Sequence, residues 1–592
     1  MLRNEEEIKK EFELWKINTE ENTELQEQLI AMEHNEKART DAFYKNLEFG
    51  TGGLRGIMGV GTNRINIYTI SRATWGVAAY ITNHFPKEKH SVAISYDSRL
   101  NSKKFSERAA EIFASCGIRV FIYSELMPTP MLSWAVRRLG CSAGIMITAS
   151  HNPAEYNGYK VYKHDGCQVT DGLAKEIMEK MENSYFFSDE KIMTYESGLS
   201  NGLIKLIGEE VIAGFIDAVK GQSLLKDSGE SDKSLSIVYT PLNGSGLKPV
   251  TRVLQESGYT NTFVVPEQKL PNGNFPTCPV PNPEELEAME LGIEYAQKQQ
   301  ADVLLATDPD CDRVGVAVAN EKGSFVRLSG NEVGVLLLDY ICQKKVENET
   351  MPLEPVIMKS IVTTELAERV ADHYGIHTIN LLTGFKYIGE QINILEQNGK
   401  TENFIFGFEE SCGYLSGTYV RDKDGVGAVF LICEMAAYYK KMGKTLYGTL
   451  EEIYRQHGYY FNILHTYRFK GIEGEKHIGQ VMDWIRVNYA DSLMGTKLRE
   501  KSLRCLVIED YLSKRKYHDN MEGALVGNIP KTDMIRVKLE DNCTLIVRPS
   551  GTETKIKVYT QVVAAYRQEA ARIEENIIKE IECAMVNEVH KI

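Results

Sequence analysis

The 11 cysteines of this sequence are scattered, and no C-x-x-C pair is present. An odd count without spacing leaves no disulfide framework to read and points to free thiols in a reducing cytoplasm. Long apolar runs are missing as well. The longest, Val426 to Cys433, is cut by Glu434, far short of the roughly 20 residues that a membrane-spanning helix needs. No signal peptide is visible, because Met1 to Lys10 is mostly charged. Positive charge is also in deficit. Lys and Arg number 68 against 82 Asp and Glu, for a net charge of −14, which argues against the basic footprint of a nucleic-acid binder. A local basic pocket for an anionic metabolite remains compatible with that balance. Low-complexity tracts are absent.

What is present is an ordinary globular composition, 43% hydrophobic and 25% charged. At 592 residues the chain is too long for one core, so roughly three to five domains are expected. Ile8, Phe12 and Trp15 recur at helical spacing among charges and predict an amphipathic helix over 4–17. A loop with four glycines follows, Phe49 to Gly56, in which backbone can approach a ligand and Arg55 can reach an anion. From there to residue 147 helices alternate with strands, which predicts a helix-covered sheet. Residues 184–233 are polar and read as a boundary. A second β/α unit runs from Leu235 to Val318, a third from about Leu328 to Gly443, and an α+β segment from about 459 to 592. The three β/α units read as candidate repeats of one fold without a clean sequence period.

Candidate chemistry sits in the loops. The apolar strand Ala143 to Ile147 meets Thr148-Ala149-Ser150-His151-Asn152-Pro153, where Asn152-Pro153 forces a turn. Ser150 is thus presented at a strand end, where open α/β sheets place ligands, as a nucleophile or phosphoryl carrier. A strand over Asn157 to Tyr162 brings Lys160 back beside it, as a base with a pKa lowered by other cations or as a phosphate-binding charge. In Asp308-Pro309-Asp310-Cys311-Asp312-Arg313, an extended loop would point three carboxylates the same way. They would repel one another without a cation, and all-oxygen ligation favours Mg²⁺, with Mn²⁺ or Ca²⁺ as alternatives. An EF-hand would need Gly and an acid where Arg313 and Ala319 stand. Arg548-Pro549-Ser550-Gly551-Thr552-Glu553 offers one Arg, two hydroxyls and bare backbone to a phosphate dianion. Glu409 and Ser411 alternate at a strand end and can face a polyol, and Lys386 sits in a G-x-K turn. Together these loops supply what phosphoryl transfer requires.

In that order, T-A-S-H-N-P, D-P-D-x-D-R, G-x-E-x-S and R-P-S-G-T-E resemble the motifs of the α-D-phosphohexomutases, across essentially the whole chain. F-G-T-G-G-L-R-G and G-F-E-E-S look most like the long phosphoglucomutase branch, which also holds phosphopentomutases and a glucose-1,6-bisphosphate synthase. The resemblance implies an α/β protein of three mixed α/β domains of similar topology and a C-terminal α+β, TATA-binding-protein-like domain around a central cleft. The expected divisions are 1–210, 211–327, 328–455 and 456–592. It implies a phosphoryl group on Ser150 and Mg²⁺ on Asp308, Asp310 and Asp312, with Ser150 adjoining the metal. Arg55, His151 and Lys160 would serve catalysis, Arg313, Lys386, Glu409 and Ser411 the sugar, and Arg548, Ser550, Gly551 and Thr552 the substrate's phosphate. Asn243, where many relatives have His, and Thr554, often Pro, depart from the pattern and bear on fine specificity.

The activity implied is interconversion of glucose 1-phosphate and glucose 6-phosphate through a phosphoserine and glucose 1,6-bisphosphate. Phosphopentose or mannose phosphates are alternative substrates, and a non-catalytic sugar-phosphate binder is an alternative class. A D-x-D glycosyltransferase would have no use for Ser150. Sugar phosphates are the expected partners, without nucleic acid or membrane, for a cytoplasmic monomer or homodimer.

Overall fold

A computed structural model describes residues 3–50, 53–182, 186–187, 192–226, 228–469, 471–492, 505–518, 521–524, 529–550 and 555–589. Three of its four sheets repeat one arrangement. With each unit's strands numbered in chain order, they lie side by side as 2-1-3-4, the first three parallel and the fourth antiparallel. In the first unit these strands are Ser91–Tyr96, Arg119–Ile122, Ala143–Ile147 and Tyr156–Lys163. In the second they are Ile237–Thr240, Thr262–Val264, Val303–Thr307 and Val314–Ala319. In the third they are Val356–Ser360, His377–Leu381, Phe404–Glu409 and Gly413–Leu415. The central parallel strands of the first two sheets are buried along their length, as strands between covered faces are. Ala143–Ile147, for example, is buried at every position.

The first sheet gains Gly53–Ile57 at one edge and Ile204–Leu206 at the other, and the second gains Phe325–Leu328. The C-terminal sheet differs: seven antiparallel strands, with the helices Gly471–Ser492 and Arg567–Val589 packed on it. One apolar core runs continuously through the first three units. The fourth has its own core, and a small cluster joins it to Ile361 and Val362 of the third.

Two expectations change here. The glycine-rich stretch is not all loop, for Gly53–Ile57 is a strand antiparallel to Tyr156–Lys163, with Gly53 opposite Lys160 and Arg55 opposite Gly158. Gly53 has a φ of 155°, and a Cβ there would lie 2.0 Å from the Tyr159 carbonyl oxygen, so only glycine lets the strands meet. The polar 184–233 stretch also holds more structure than its composition suggests: the strand Ile204–Leu206 and the helix Glu209–Lys220, which buries Val211, Phe215, Ile216 and Val219. Four short strands were also not legible in advance, Thr262–Val264, Cys505–Asp510, Arg515–His518 and Met521–Ala524. Among the described residues no helix is long and apolar enough to cross a membrane.

Candidate active site

In each of the three repeated units the candidate loop occupies the same slot, the turn from strand 3 into strand 4. Ser150 follows Ala143–Ile147, the Asp308–Asp312 loop follows Val303–Thr307, and Glu410-Ser411 follows Phe404–Glu409. These are carboxyl ends of parallel strands, where the sheet's twist opens a crevice.

Ser150 has a φ of 53°, a left-handed conformation that costs an L-residue about 1–2 kcal/mol and persists only where the surroundings over-determine it. Its backbone N–H donates to Thr148 Oγ1 at 2.7 Å. Its side chain lies in a residue only 3% exposed, and Oγ donates to Asp308 Oδ2 at 2.7 Å. His151 Nδ1 is 3.4 Å from the same Oγ. Burial, and after it the cations Arg313, Arg55, Lys557 and Arg99, hold this imidazole well below its usual pKa, so it is neutral at pH 7.

The aspartate loop converges by a different route from the extended one expected. The Cys311 N–H closes a turn on the Asp308 carbonyl at 2.9 Å, and Cys311 takes a left-handed φ of 51°. Asp308 Oδ1 then accepts the N–H groups of Asp312 and Arg313, each at 3.0 Å. One oxygen from each of Asp308, Asp310 and Asp312 lies within 4.8 Å of the others, and all three residues are buried. Burial, then Asp310 and Asp312, push the Asp308 carboxyl well above the usual range. Asp310 Oδ1 and Asp312 Oδ1 are buried without a hydrogen-bond partner. Buried, unsatisfied carboxylate oxygens are costly, and a hard divalent cation with oxygen ligands is what this donor set fits.

Lys160 is where its strand was expected to bring it, but its neighbours are anions. Nζ lies 2.7 Å from Asp310 Oδ2 and 3.4 Å from Asp312 Oδ2. Burial works to lower its pKa, and the two carboxylates more than offset that, holding the ammonium protonated. Of the two roles left open for Lys160, base or phosphate-binding charge, these ion pairs favour the charge. Arg55 Nη1 donates to Asn152 Oδ1 at 3.0 Å, inside the Ser150 loop. Arg313 pairs with Glu284.

Other residues already have protein partners. Lys386 is on the first turn of the helix Phe385–Gln397 rather than in a turn, and its Nζ meets Asp171 Oδ1 at 2.6 Å. Glu409 accepts the Gly384 N–H at 2.6 Å, and burial, then Glu410, push its carboxyl up to about 7. Ser411 sits in the turn after it. Arg548 also has a protein partner: Nη2 donates to the Tyr559 hydroxyl at 3.2 Å, and the guanidinium lies over that ring. Ser550 lines the cleft beside Pro549 and Lys555. Gly551 and Thr552 fall outside the described residues.

Three contributors went unread in the sequence. Lys423 Nζ sits 3.1 Å from Asp312 Oδ2. Thr129 Oγ1 donates to Asp310 Oδ2 at 2.8 Å and its N–H to the Asp310 carbonyl at 2.9 Å. Arg99 grips the Ser150 loop. The one usable signal was the charged run Arg421 to Asp424 immediately before a helix that opens on the apolar run Val426 to Cys433.

Several of these groups border a cleft of about 1000 Å³ whose walls include Arg55, Ser150, Lys160, Asp312, Lys423 and Ser550. All but the third unit's sugar loop thus contribute side chains to it directly.

Comparison with known proteins places four consecutive profiles along the chain. They are the phosphoglucomutase/phosphomannomutase alpha/beta/alpha domains I, II and III, on residues 46–187, 213–323 and 329–457, and the C-terminal domain of the same proteins on 507–580. A phosphoglucomutase of Staphylococcus haemolyticus strain JCSC1435 is 37% identical over 519 residues, covering 87% of this chain and 90% of the relative. One from Staphylococcus aureus strain USA300 is 36% identical over 525 residues, covering 88% and 90%. Among solved structures, the open form of the Paramecium phosphoprotein parafusin, a phosphoglucomutase, shares the fold. Its TM-score is 0.64 at 18% identity, over 91% of this chain and 95% of that one.

Proposed function

The chain belongs to the phosphoglucomutase/phosphomannomutase family, and from that premise we propose that it is a phosphoglucomutase. It interconverts glucose 1-phosphate and glucose 6-phosphate through a phosphoserine at Ser150 and glucose 1,6-bisphosphate. One observation carries the reading: a strained, buried serine hydroxyl 2.7 Å from one of three clustered carboxylates, at the edge of a cation-lined cleft.

In the forward half-cycle the bond from phosphorus to Ser150 Oγ breaks and one to the substrate's C6 oxygen forms. The hydroxyl proton passes from that oxygen to Oγ. The neutral imidazole of His151, 3.4 Å from Oγ, is placed to carry it. Lys160, Lys423 and Arg313 balance the charge of the phosphoryl group in transfer. The bisphosphate turns within the cleft, its C1 phosphate goes to Ser150, and glucose 6-phosphate leaves. Ser550, with Gly551, Thr552 and Arg548, anchors the phosphate not in transfer, while Glu409, Ser411 and Lys386 orient the sugar. Asp308, Asp310 and Asp312 would hold Mg²⁺, which when bound supplies Lewis-acid polarisation of the phosphoryl oxygens. The reaction belongs to the reducing cytoplasm that scattered cysteines without a C-x-x-C pair suit.

Ser150→Ala tests the reading. Coupled assays of glucose 6-phosphate formation should show turnover reduced on the order of 10³-fold or more, with substrate still bound. Loss of the buried bond to Asp308 should cost about 1–3 kcal/mol of stability. Intact mass should show one phosphoryl group on the wild type, on the Ser150 peptide, and none on the variant. Retention of more than a few per cent of activity, or a phosphate on another peptide, sinks the mechanism.

A further inference from the structure

The Asp97-Ser98-Arg99 loop has no part in the chemistry described so far, and neither Asp97 nor Arg99 lines the cleft. Yet the Arg99 side chain, wholly enclosed, spends both terminal nitrogens on the loop that carries Ser150. Nη2 donates to the carbonyls of Ser150, at 2.6 Å, and of Asn152. Nη1 donates to those of Pro153 and Tyr156, at 2.8 and 3.0 Å. Nε faces Asp97 Oδ2 at 3.4 Å. That same Asp97 oxygen accepts the Thr148 hydroxyl at 2.6 Å, and Thr148 Oγ1 in turn accepts the Ser150 N–H. Both the amide and the carbonyl of Ser150 are therefore tied to a single ion pair.

The clamp is closed from the second unit. The guanidinium lies 5.1 Å from the centroid of the Phe275 ring. Two residues earlier, Gly273 packs so tightly that a Cβ would lie 2.5 Å from the Leu100 nitrogen and 2.8 Å from the Arg99 carbonyl carbon. The unit that supplies the aspartate loop thus also braces the arginine that shapes the serine loop.

We propose that Arg99, backed by Phe275, is a positioning residue for phosphoryl transfer: it fixes the left-handed Ser150 turn, and with it the direction of Oγ toward Asp308. The proposal rests on Ser150 being the phosphoryl carrier. A planar fork can reach four divergent carbonyls while its charge pairs with a carboxylate; the three-donor point charge of lysine cannot.

The test compares Arg99→Lys and Phe275→Leu with the wild type, using phosphorylated full-length enzyme and glucose 1-phosphate. In Arg99→Lys, kcat and the single-turnover rate of transfer from Ser150 should both fall at least about 100-fold, the scale of a 1 Å misplacement, while KM stays within about threefold. Phe275→Leu leaves the ion pair intact and should lower the same two rates about tenfold, again without moving KM. A merely structural role would instead lower the melting temperature and leave single-turnover transfer by the folded fraction at the wild-type rate. That result in either variant overturns the proposal, and should Arg99→Lys fail to fold, Phe275→Leu decides alone. Wild-type enzyme that takes no phosphate on Ser150 from glucose 1,6-bisphosphate fails the carrier reading instead, visibly so before any variant is compared, and the proposal falls with it.

Discussion

Asp310 sits inside the site, surrounded by Lys160, Thr129 and the other two aspartates. Asp310→Asn keeps its volume and removes one negative charge from the cluster. Wild-type protein should gain about 2.7 kcal/mol of stability at Mg²⁺ a hundredfold above its dissociation constant, by mass action on the folded state. The variant should lose most of that gain together with its turnover. Thermal melts against Mg²⁺ concentration check this, and a variant stabilised as much as the wild type would remove these carboxylates as the metal site. Much at this scale was legible beforehand. Ser150 and the three aspartates announce themselves because a proline-shaped turn and a run of alternating acids are local features. Lys160 shows the limit. Its strand and its approach to Ser150 were readable, but the sign of its surroundings was not, because Asp310 and Asp312 lie some 150 positions away. Lys423, Thr129 and Arg99 were missed for the same reason: each acts on a partner remote in sequence.

Strand contact, more than loop composition, determines how Arg55, Ser150 and Lys160 come together. Gly158 is the tightest point, for a Cβ there would lie 2.5 Å from the Thr148 carbonyl oxygen and 2.7 Å from that of Leu54. Both are backbone atoms of neighbouring strands and cannot swing aside. Gly158→Ala should cost about 1–3 kcal/mol in urea unfolding, as overpacking does, and should lower kcat by spreading the strands that carry Arg55 and Ser150. Gly172→Ala, in the helix Asp171–Glu182 with nothing within 4 Å of the added carbon, should be neutral or stabilising by about 0.5–1 kcal/mol. Equal losses in the two variants would show that the strand contact carries no special weight. The strands flanking the active loops were legible because they are apolar runs ended by turn residues. Thr262–Val264 and the strands between 505 and 524 were not, being short or mixed in pattern. The helix Glu209–Lys220 was hidden inside a stretch whose average polarity masked one apolar face.

Taken whole, the molecule is one architecture used three times and a fourth domain of different make. The three units were legible as candidate repeats, but no sequence period marked them, because only the 2-1-3-4 order and the active slot are shared. The proposed phosphate anchor lies in the fourth domain, which has its own core. Arg548→Ala should therefore raise KM for glucose 1-phosphate about tenfold or more, with a smaller loss in kcat, because the contact is made throughout the cycle. Initial rates over a range of substrate decide it; an unchanged KM would leave Arg548 in the role this structure displays, a support for Tyr559.

The aspartate loop is clamped from both sides of the chain: the Thr129 N–H holds the Asp310 carbonyl, and the Gly425 N–H holds the Cys311 carbonyl at 3.1 Å. During synthesis, then, the serine turn and its arginine are complete long before the residues that finish the aspartate turn have left the ribosome. A nascent chain shorter than about 425 residues has a nucleophile loop and acids but no closed site. Sugar phosphates in the surrounding fluid would meet a half-built enzyme: the aspartate turn closes only when the start of a single buried helix docks, and the proposed phosphate anchor arrives later still, with the fourth domain.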